Sequence, residues 1–189
     1  MRIVGGVHRG RRLLTPAGQD VRPTGDRVRE ALFNMLAHAG WADDPLTDAI
    51  VLDAFCGTGA LGLEALSRGA KHLTLMDTDP RSLTLGRQNV AALKEEGRVT
   101  LLRADAARPP RAKQPATLAF LDPPYGKELA QKALPALAKT GWLARNCICV
   151  VETAREDDFT PPPGFALRDE RCYGETRITF LQRINGDGE

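Results

Sequence analysis

Four apolar runs in this chain each lead into an aspartate: Ile50-Val51-Leu52 into Asp53, Leu73-Thr74-Leu75-Met76 into Asp77, Leu101-Leu102-Arg103-Ala104 into Asp105, and Leu118-Ala119-Phe120-Leu121 into Asp122. Short apolar runs without polar alternation belong to strands buried on both faces, and such strands form parallel sheets covered by helices. The segments between them carry the covering helices. One helix is expected from about Gly59 to Arg68, one from Pro80 to about Glu96 with proline at its favoured first position, and one from Glu128 to Ala138. In open sheets of this kind, ligands bind outside the carboxyl ends of the strands. Four carboxylates on one rim are therefore the feature to explain.

The strands are expected at 49–54, 71–76, 99–103, 117–121 and 147–152. A hairpin follows, 165–172 and 176–183, joined by Tyr173-Gly174-Glu175. The fold class is α/β: a Rossmann-like doubly wound seven-stranded sheet, mostly parallel, with one antiparallel strand near the edge and a short N-terminal extension. Pro109, Pro110 and Pro115 keep the crossover at 106–116 from being a proper helix. Residues 1–22 read as extended and hairpin-like until Arg22-Pro23-Thr24-Gly25. Thr24 then caps a helix whose stripe is Val28, Ala31, Leu32, Met35 and Leu36, which leaves Arg27 and Arg29 in solvent. That helix runs to about His38, and Trp41 to Asp48 is a polar linker. The chain thus divides into a basic extension with its helix (1–40), an α/β body (41–184) and a polar tail (185–189), within one structural domain.

Composition narrows the class. At 189 residues with 42% hydrophobic content, the chain can bury one adequate core. No apolar run approaches a membrane span, and Met1 to Gly6 lacks the apolar region of a signal peptide, so a cytoplasmic protein with no membrane partner is expected. A monomer is expected as well. Cys56, Cys147, Cys149 and Cys172 fit neither a disulfide framework nor C-x-x-C spacing. Cys147 and Cys149 should face the same side of a strand as small buried hydrophobes. His8, His38 and His72 lack ligand spacing, and no metal is expected. The first 30 residues hold seven arginines against three carboxylates, a net +4, which leaves −2 for the remainder of a chain whose total is +2. A basic arm on a near-neutral body suits phosphate binding, and the alternative is a solvated face with no partner.

Asp53-Ala54-Phe55-Cys56-Gly57-Thr58-Gly59-Ala60-Leu61-Gly62 contains G-x-G-x-x-G at the first strand–helix turn, with Asp77 twenty residues beyond Gly57. The spacing matches a dinucleotide fingerprint, in which glycines admit a ligand to the backbone and the carboxylate holds ribose hydroxyls. An NAD-linked reductase is therefore one reading, and a plain glycine turn is another. Asp53 separates them. An anion at that strand end would repel a pyrophosphate, whereas it suits a ligand carrying an ammonium and a sulfonium. There is also no second domain to bind a hydride acceptor. Both considerations favour S-adenosylmethionine. Asp105 fits the same picture as an acceptor for the adenine amine, with the Ala106 N–H beside a ring nitrogen.

Leu121-Asp122-Pro123-Pro124-Tyr125 is the last of the four strand ends. Two prolines fix the backbone, so a carboxylate, a carbonyl and an aromatic ring are held in constant relation. That trio suits a planar ring bearing an exocyclic amine, since the acceptors take its N–H groups and the aromatic ring stacks on its face. The alternative is a Pro-rich turn with a half-exposed tyrosine.

These motifs resemble a known group. Asp53 to Gly62 resembles the donor motif of class I, Rossmann-like S-adenosylmethionine-dependent methyltransferases, and Asp122-Pro123-Pro124-Tyr125 resembles the [D/N]-P-P-[Y/F] motif of those that methylate exocyclic amines of bases. Gly6-x-x-x-Gly10-Arg11-Arg12-Leu13 and Arg22-Pro23-Thr24-x-Asp26-Arg27-Val28-Arg29-Glu30-Ala31-Leu32-Phe33-Asn34 are similar to the N-terminal signature of the bacterial 16S ribosomal RNA guanine-N2 methyltransferases. The resemblance runs from about residue 2 to 183 and includes Tyr173-Gly174. It implies a class I methyltransferase domain over 41–184, with S-adenosylmethionine held by Thr24, Asp53, Phe55, Gly57, Gly59, Asp77, Thr78, Asp105 and Ala106. It further implies catalysis by Asp122, Pro123, Pro124 and Tyr125, and 16S ribosomal RNA or the small-subunit particle as partner. RNA contacts are expected from Arg9, Arg11, Arg12, Arg22, Arg27 and Arg29. The four-residue motif also occurs in adenine and cytosine amino-methyltransferases acting on DNA or RNA, so that class stays open, as does a non-catalytic RNA-binding module.

Overall fold

The computed structural model describes residues 1–16, 23–124 and 128–184. Seven strands form one sheet: β1 (Ile50–Ala54), β2 (His72–Asp77), β3 (Val99–Arg103), β4 (Ala116–Leu121), β5 (Leu143–Ala154), β6 (Phe165–Tyr173) and β7 (Thr176–Arg183). Their order is β3-β2-β1-β4-β5-β7-β6. All pairings from β3 to β5 are parallel, and β7 runs antiparallel to both neighbours. Chain order reverses between β1 and β4, which makes the rim above those two strands the topological switch point.

Alternation along the strands assigns the two faces. Val51, Leu73, Leu75, Leu118, Phe120, Ile148, Val150, Ile178 and Phe180 pack with α1 (Pro23–Ala37), α2 (Ala60–Ser67) and α3 (Pro80–Leu93). Leu52, Met76, Ala119, Leu121, Cys147, Cys149, Val151 and Leu181 pack with α4 (Leu129–Lys139) on the other face. The two cysteines thus share a face as small buried hydrophobes. The segment from Ala104 to Pro115 contains no helix, as its prolines require. β5 starts earlier than its apolar run suggests. Its register with β4 shifts between Ala116 and Leu118, and Asn146 takes a left-handed φ of 62°, so polar Arg145 and Asn146 sit inside an irregular strand.

The N-terminal segment is part of this core. Arg2 bridges Arg12 in an antiparallel pair, and Ile3 and Leu13 are buried with Phe33 and Phe120. Its anchor is Glu64 of α2, which is fully buried and accepts from Val4 N–H at 2.8 Å and Arg68 Nε at 2.7 Å. Ser67 accepts the His8 N–H and donates to the Gly5 carbonyl. The residues of the expected linker also pack inward, for Leu46 is buried and Trp41 lies 5.7 Å from Phe180, ring centre to ring centre.

Two expectations for α1 need correction. The helix already includes Pro23, so Thr24 lies in its first turn rather than capping it. Arg29 is 5% exposed and points into the protein. The buried face is Arg29, Leu32, Phe33 and Leu36, itself an i, i+3, i+4, i+7 series, so the true stripe is rotated from the expected one toward Phe33. Arg29 donates through Nη2 to the Arg2 carbonyl (2.7 Å) and to Asp26 (2.6 Å), and its Nε lies 3.8 Å from Glu64.

Candidate active site

The glycine turn after β1 is built by two of the rim carboxylates. Asp53 is 2% exposed and its Oδ2 accepts the N–H of Gly62, in the first turn of α2, at 2.9 Å. Asp77 Oδ2 accepts the N–H of Gly57 at 2.9 Å, and its Oδ1 accepts the N–H of Asp79, the N-cap of α3. Each glycine has a separate reason to be there. Gly57 and Gly59 have φ of 51° and 78°, and a Cβ on Gly62 would lie 2.5 Å from Leu73 Cδ1 and 3.1 Å from Asp53 Cβ. The last is a close approach of helix to strand that only glycine permits. Phe55, between Asp53 and Gly57, takes a φ of 69°, a conformation costly for a bulky side chain and concentrated at functional sites.

Two adjoining clefts open over this rim. The larger, about 1220 Å³, is lined by Asp53, Phe55, Gly57, Asp122, Glu152 and the Tyr173–Thr176 turn, with Met1, Thr15, Pro16, Val28 and Arg29 of the N-terminal segment forming its far wall. The smaller, about 730 Å³, is lined by Asp77, Thr78, Asp105, Pro123, Pro124 and Leu129. Phe55, Gly57, Asp79, Ser82 and Asp122 belong to both. Asp122 therefore stands at the junction of two compartments, each roomy enough for a small molecule.

The electrostatics of the site follow from crowding. Burial, assisted by the Asp77 charge and opposed by the Gly62 N–H, raises the Asp53 pKa to about 7. Asp122 reaches solvent through the cleft mouth. Lost hydration within the concavity, then the charges of Glu152 and Asp53, nevertheless raise its pKa well above the usual carboxylate range. The Cys56 thiol is pushed up by burial and by Asp53 and Asp77, so it stays neutral and is no nucleophile. A desolvated group of carboxylates favours a cationic or donor-rich ligand, and an ammonium–sulfonium compound meets that demand. A pyrophosphate does not. The Gly62 N–H that a helix N-terminus could offer an anion is already taken by Asp53.

Of the expected donor residues, Asp53, Phe55 and Gly57 line the larger cleft and Asp77, Thr78 and Asp105 the smaller. Gly59 instead packs under Leu75, and Ala106 is buried against the opposite core, while Asp105 Oδ1 accepts the Ala107 N–H. The Thr24 side chain, Tyr125 and Arg22 lie outside the described residues. Arg9, Arg11, Arg12 and Arg27 are exposed, and Arg29 is not. The sequence reading missed Glu152 and Asn89. Buried Asn89 accepts the Leu14 N–H and donates to the Thr58 carbonyl, which pins the N-terminal wall to the glycine turn. Its only sequence signal was an amide on the buried side of α3. Among the described residues no helix is long and apolar enough to cross a membrane, and no cluster of His, Cys, Asp and Glu could hold a metal ion.

Comparison with known proteins matches residues 1–182 to the family described as Conserved hypothetical protein 95. The chain is 38% identical to the ribosomal RNA small subunit methyltransferase D of Escherichia coli strain K12, over 97% of this chain and 90% of that protein. It is 34% identical to the protein of the same name from Haemophilus influenzae, over 96% and 93%. A solved structure from Escherichia coli superposes with a TM-score of 0.81 at 35% identity, covering 98% of each chain.

The raised pKa of Asp53 makes a testable statement about stability. The folded value, about 7, lies above the ordinary 3.8, so between about pH 4 and 7 the native state binds more protons than the unfolded state. The Asp53 contribution to stability therefore falls as pH rises through that window and is flat above it. Asp53→Asn keeps an acceptor for Gly62 and cannot titrate. Urea unfolding from pH 4 to 8 is expected to show Asp53→Asn gaining on the wild type by up to about 1 kcal/mol per pH unit. Parallel pH profiles for the two proteins would contradict the assignment.

Proposed function

Since the chain belongs to the Conserved hypothetical protein 95 family, with the ribosomal RNA small subunit methyltransferases D, we propose that it transfers a methyl group from S-adenosylmethionine to the exocyclic N2 amine of a guanine in 16S ribosomal RNA. One observation supports this above the others: Asp122 stands where the Asp77–Asp105 cleft meets the Asp53–Glu152 cleft. Asp77 and Asp105 would hold the ribose hydroxyls and adenine of the donor, and Phe55, Gly57 and Asp53 its methionine end. When bound, the donor supplies a methyl on a cationic sulfur that leaves as a neutral thioether.

The chain's own residues then supply placement and acceptors. Pro123 is buried and Pro124 follows it, so the Asp122 carboxylate and the Pro123 carbonyl keep a fixed relation. Each accepts one N–H of the amine, which draws the nitrogen lone pair out of conjugation with the ring and aims it along the line of transfer. An amine nitrogen that gains a methyl group must shed a proton. Asp122, which accepts one of its N–H groups, would take it. Tyr125 would stack on the extruded base. The hairpin tip carrying exposed Arg9, Arg11 and Arg12 leads through Leu13 and Leu14 to the cleft wall at Thr15 and Pro16, a path for RNA phosphates toward the site. Arg27 belongs with this surface, whereas Arg29 holds the wall from inside. The activity belongs in the cytoplasm, where ribosomal RNA is assembled.

Two measurements test the reading. Nucleoside mass spectrometry of small-subunit RNA incubated with donor, with and without the protein, should show N2-methylguanosine only with it. Methylated adenine or cytosine instead would replace guanine as the substrate. For the arm, the double variant Arg11→Glu, Arg12→Glu should bind RNA more weakly and reduce the slope of log affinity against log salt by about one to two. An unchanged slope would remove these arginines from the interface.

A further inference from the structure

Glu152 was not among the residues singled out in the sequence, yet the sheet delivers it to the acceptor side of the site. β4 and β5 pair in parallel with Phe120 opposite Val150 and Leu121 opposite Val151, so the residues that follow are Asp122, just past the end of β4, and Glu152 of β5. Phe120 and Val150 face α1–α3, and Leu121 and Val151 face α4. Alternation returns Asp122 and Glu152 to the α1–α3 side, where Asp53 also projects from β1. All three carboxylates line the larger cleft, and Glu152 is close enough for its charge to act on Asp122. Two carboxylates from neighbouring strands thus face one cleft.

A ligand matched to this pair of acceptors brings two hydrogen-bond donors in a row. Among base edges, guanine alone offers a ring N–H directly beside its exocyclic amine. Adenine and cytosine place a ring nitrogen lone pair there. With the amine on Asp122, Glu152 is the neighbouring carboxylate in the same cleft. A carboxylate at that point accepts an N–H and repels a lone pair. We propose that Glu152 determines the base specificity of the site: its carboxylate accepts the N1–H of the target guanine while Asp122 holds the N2 amine. This inference rests on the proposed guanine-N2 reading and adds the residue that would enforce it.

The test uses 2-aminopurine, which keeps the amine at C2 and carries a lone pair where guanine has N1–H. The guanosine methylated by the wild type is first located in small-subunit RNA, and RNAs bearing guanine or 2-aminopurine at that position are then assembled by ligation. The wild type should prefer guanine by about 100-fold in kcat/KM, the scale of losing a charge-assisted hydrogen bond and leaving a carboxylate against a lone pair. Glu152→Gln, whose amide can turn its oxygen to the guanine N1–H or its NH2 to the 2-aminopurine lone pair, should lose rate on guanine and cut the preference to about 10-fold or less. Glu152→Asp, which keeps the charge, should retain a preference for guanine. Equal binding of S-adenosylhomocysteine by all three proteins shows that the fold and donor pocket are intact. An unchanged guanine preference in Glu152→Gln would overturn the assignment while leaving the proposed function standing. Absence of any guanosine methylation by the wild type would overturn both.

Discussion

The hydrogen bond from the Gly62 N–H to Asp53 Oδ2 sets the angle at which α2 leaves β1, and the shape of the rim follows from that angle. It needs a side-chain oxygen with almost no exposure and a glycine with no room for a methyl group. The strand and helix then lie so close that the intervening residues must turn through left-handed conformations at Phe55, Gly57 and Gly59. Asp77 holds the same turn from the neighbouring strand through Gly57. Two of the four rim carboxylates are thus structural and ligand-facing at once. Folding accepts the desolvation of Asp53, visible in its raised pKa, in return for a preorganised concavity.

The N-terminal segment completes that concavity rather than hanging beside it. Buried Glu64 binds the Val4 backbone and Arg68, with Arg29 near, and Arg68 also lies over the Phe33 ring at 5.0 Å. A buried charge is tolerated only with partners, and removing one member of such a group typically costs about 3–5 kcal/mol. The network therefore couples α1, α2 and the first hairpin, and with them the wall formed by Met1, Thr15 and Pro16. His8 adds a second tie through a 2.6 Å contact with Glu95, whose carboxylate is held low chiefly by Arg98. A basic hairpin anchored this firmly presents its exposed arginines at a fixed place relative to Asp122.

Much of this was legible in the sequence because the signals were local. The unalternating runs located β1 to β5 and the Tyr173-Gly174-Glu175 turn located the closing hairpin, with β3 and β7 bounded as expected. The aspartates and glycines of the rim could be read from spacing, since each answers to the turn beside it. What escaped depended on partners far along the chain. Arg29 looked like a solvent residue because nothing near it shows that Glu64, thirty-five positions away, lies buried beneath it. Glu152 was hidden because a single glutamate after Cys149-Val150-Val151 carries no motif, and only the β4–β5 register sets it beside Asp122.

In the proposed reaction Asp122 belongs to the acceptor side of the methyl transfer and not to donor binding. Wild type and Asp122→Ala should be compared for transfer of label from methyl-labelled S-adenosylmethionine into small-subunit ribosomal RNA, with S-adenosylhomocysteine affinity measured on both. Asp122→Ala is expected to bind the donor product as the wild type does and to transfer the label at least about 100-fold more slowly, as loss of a preorganised acceptor requires. Transfer at the wild-type rate by Asp122→Ala would contradict the claim.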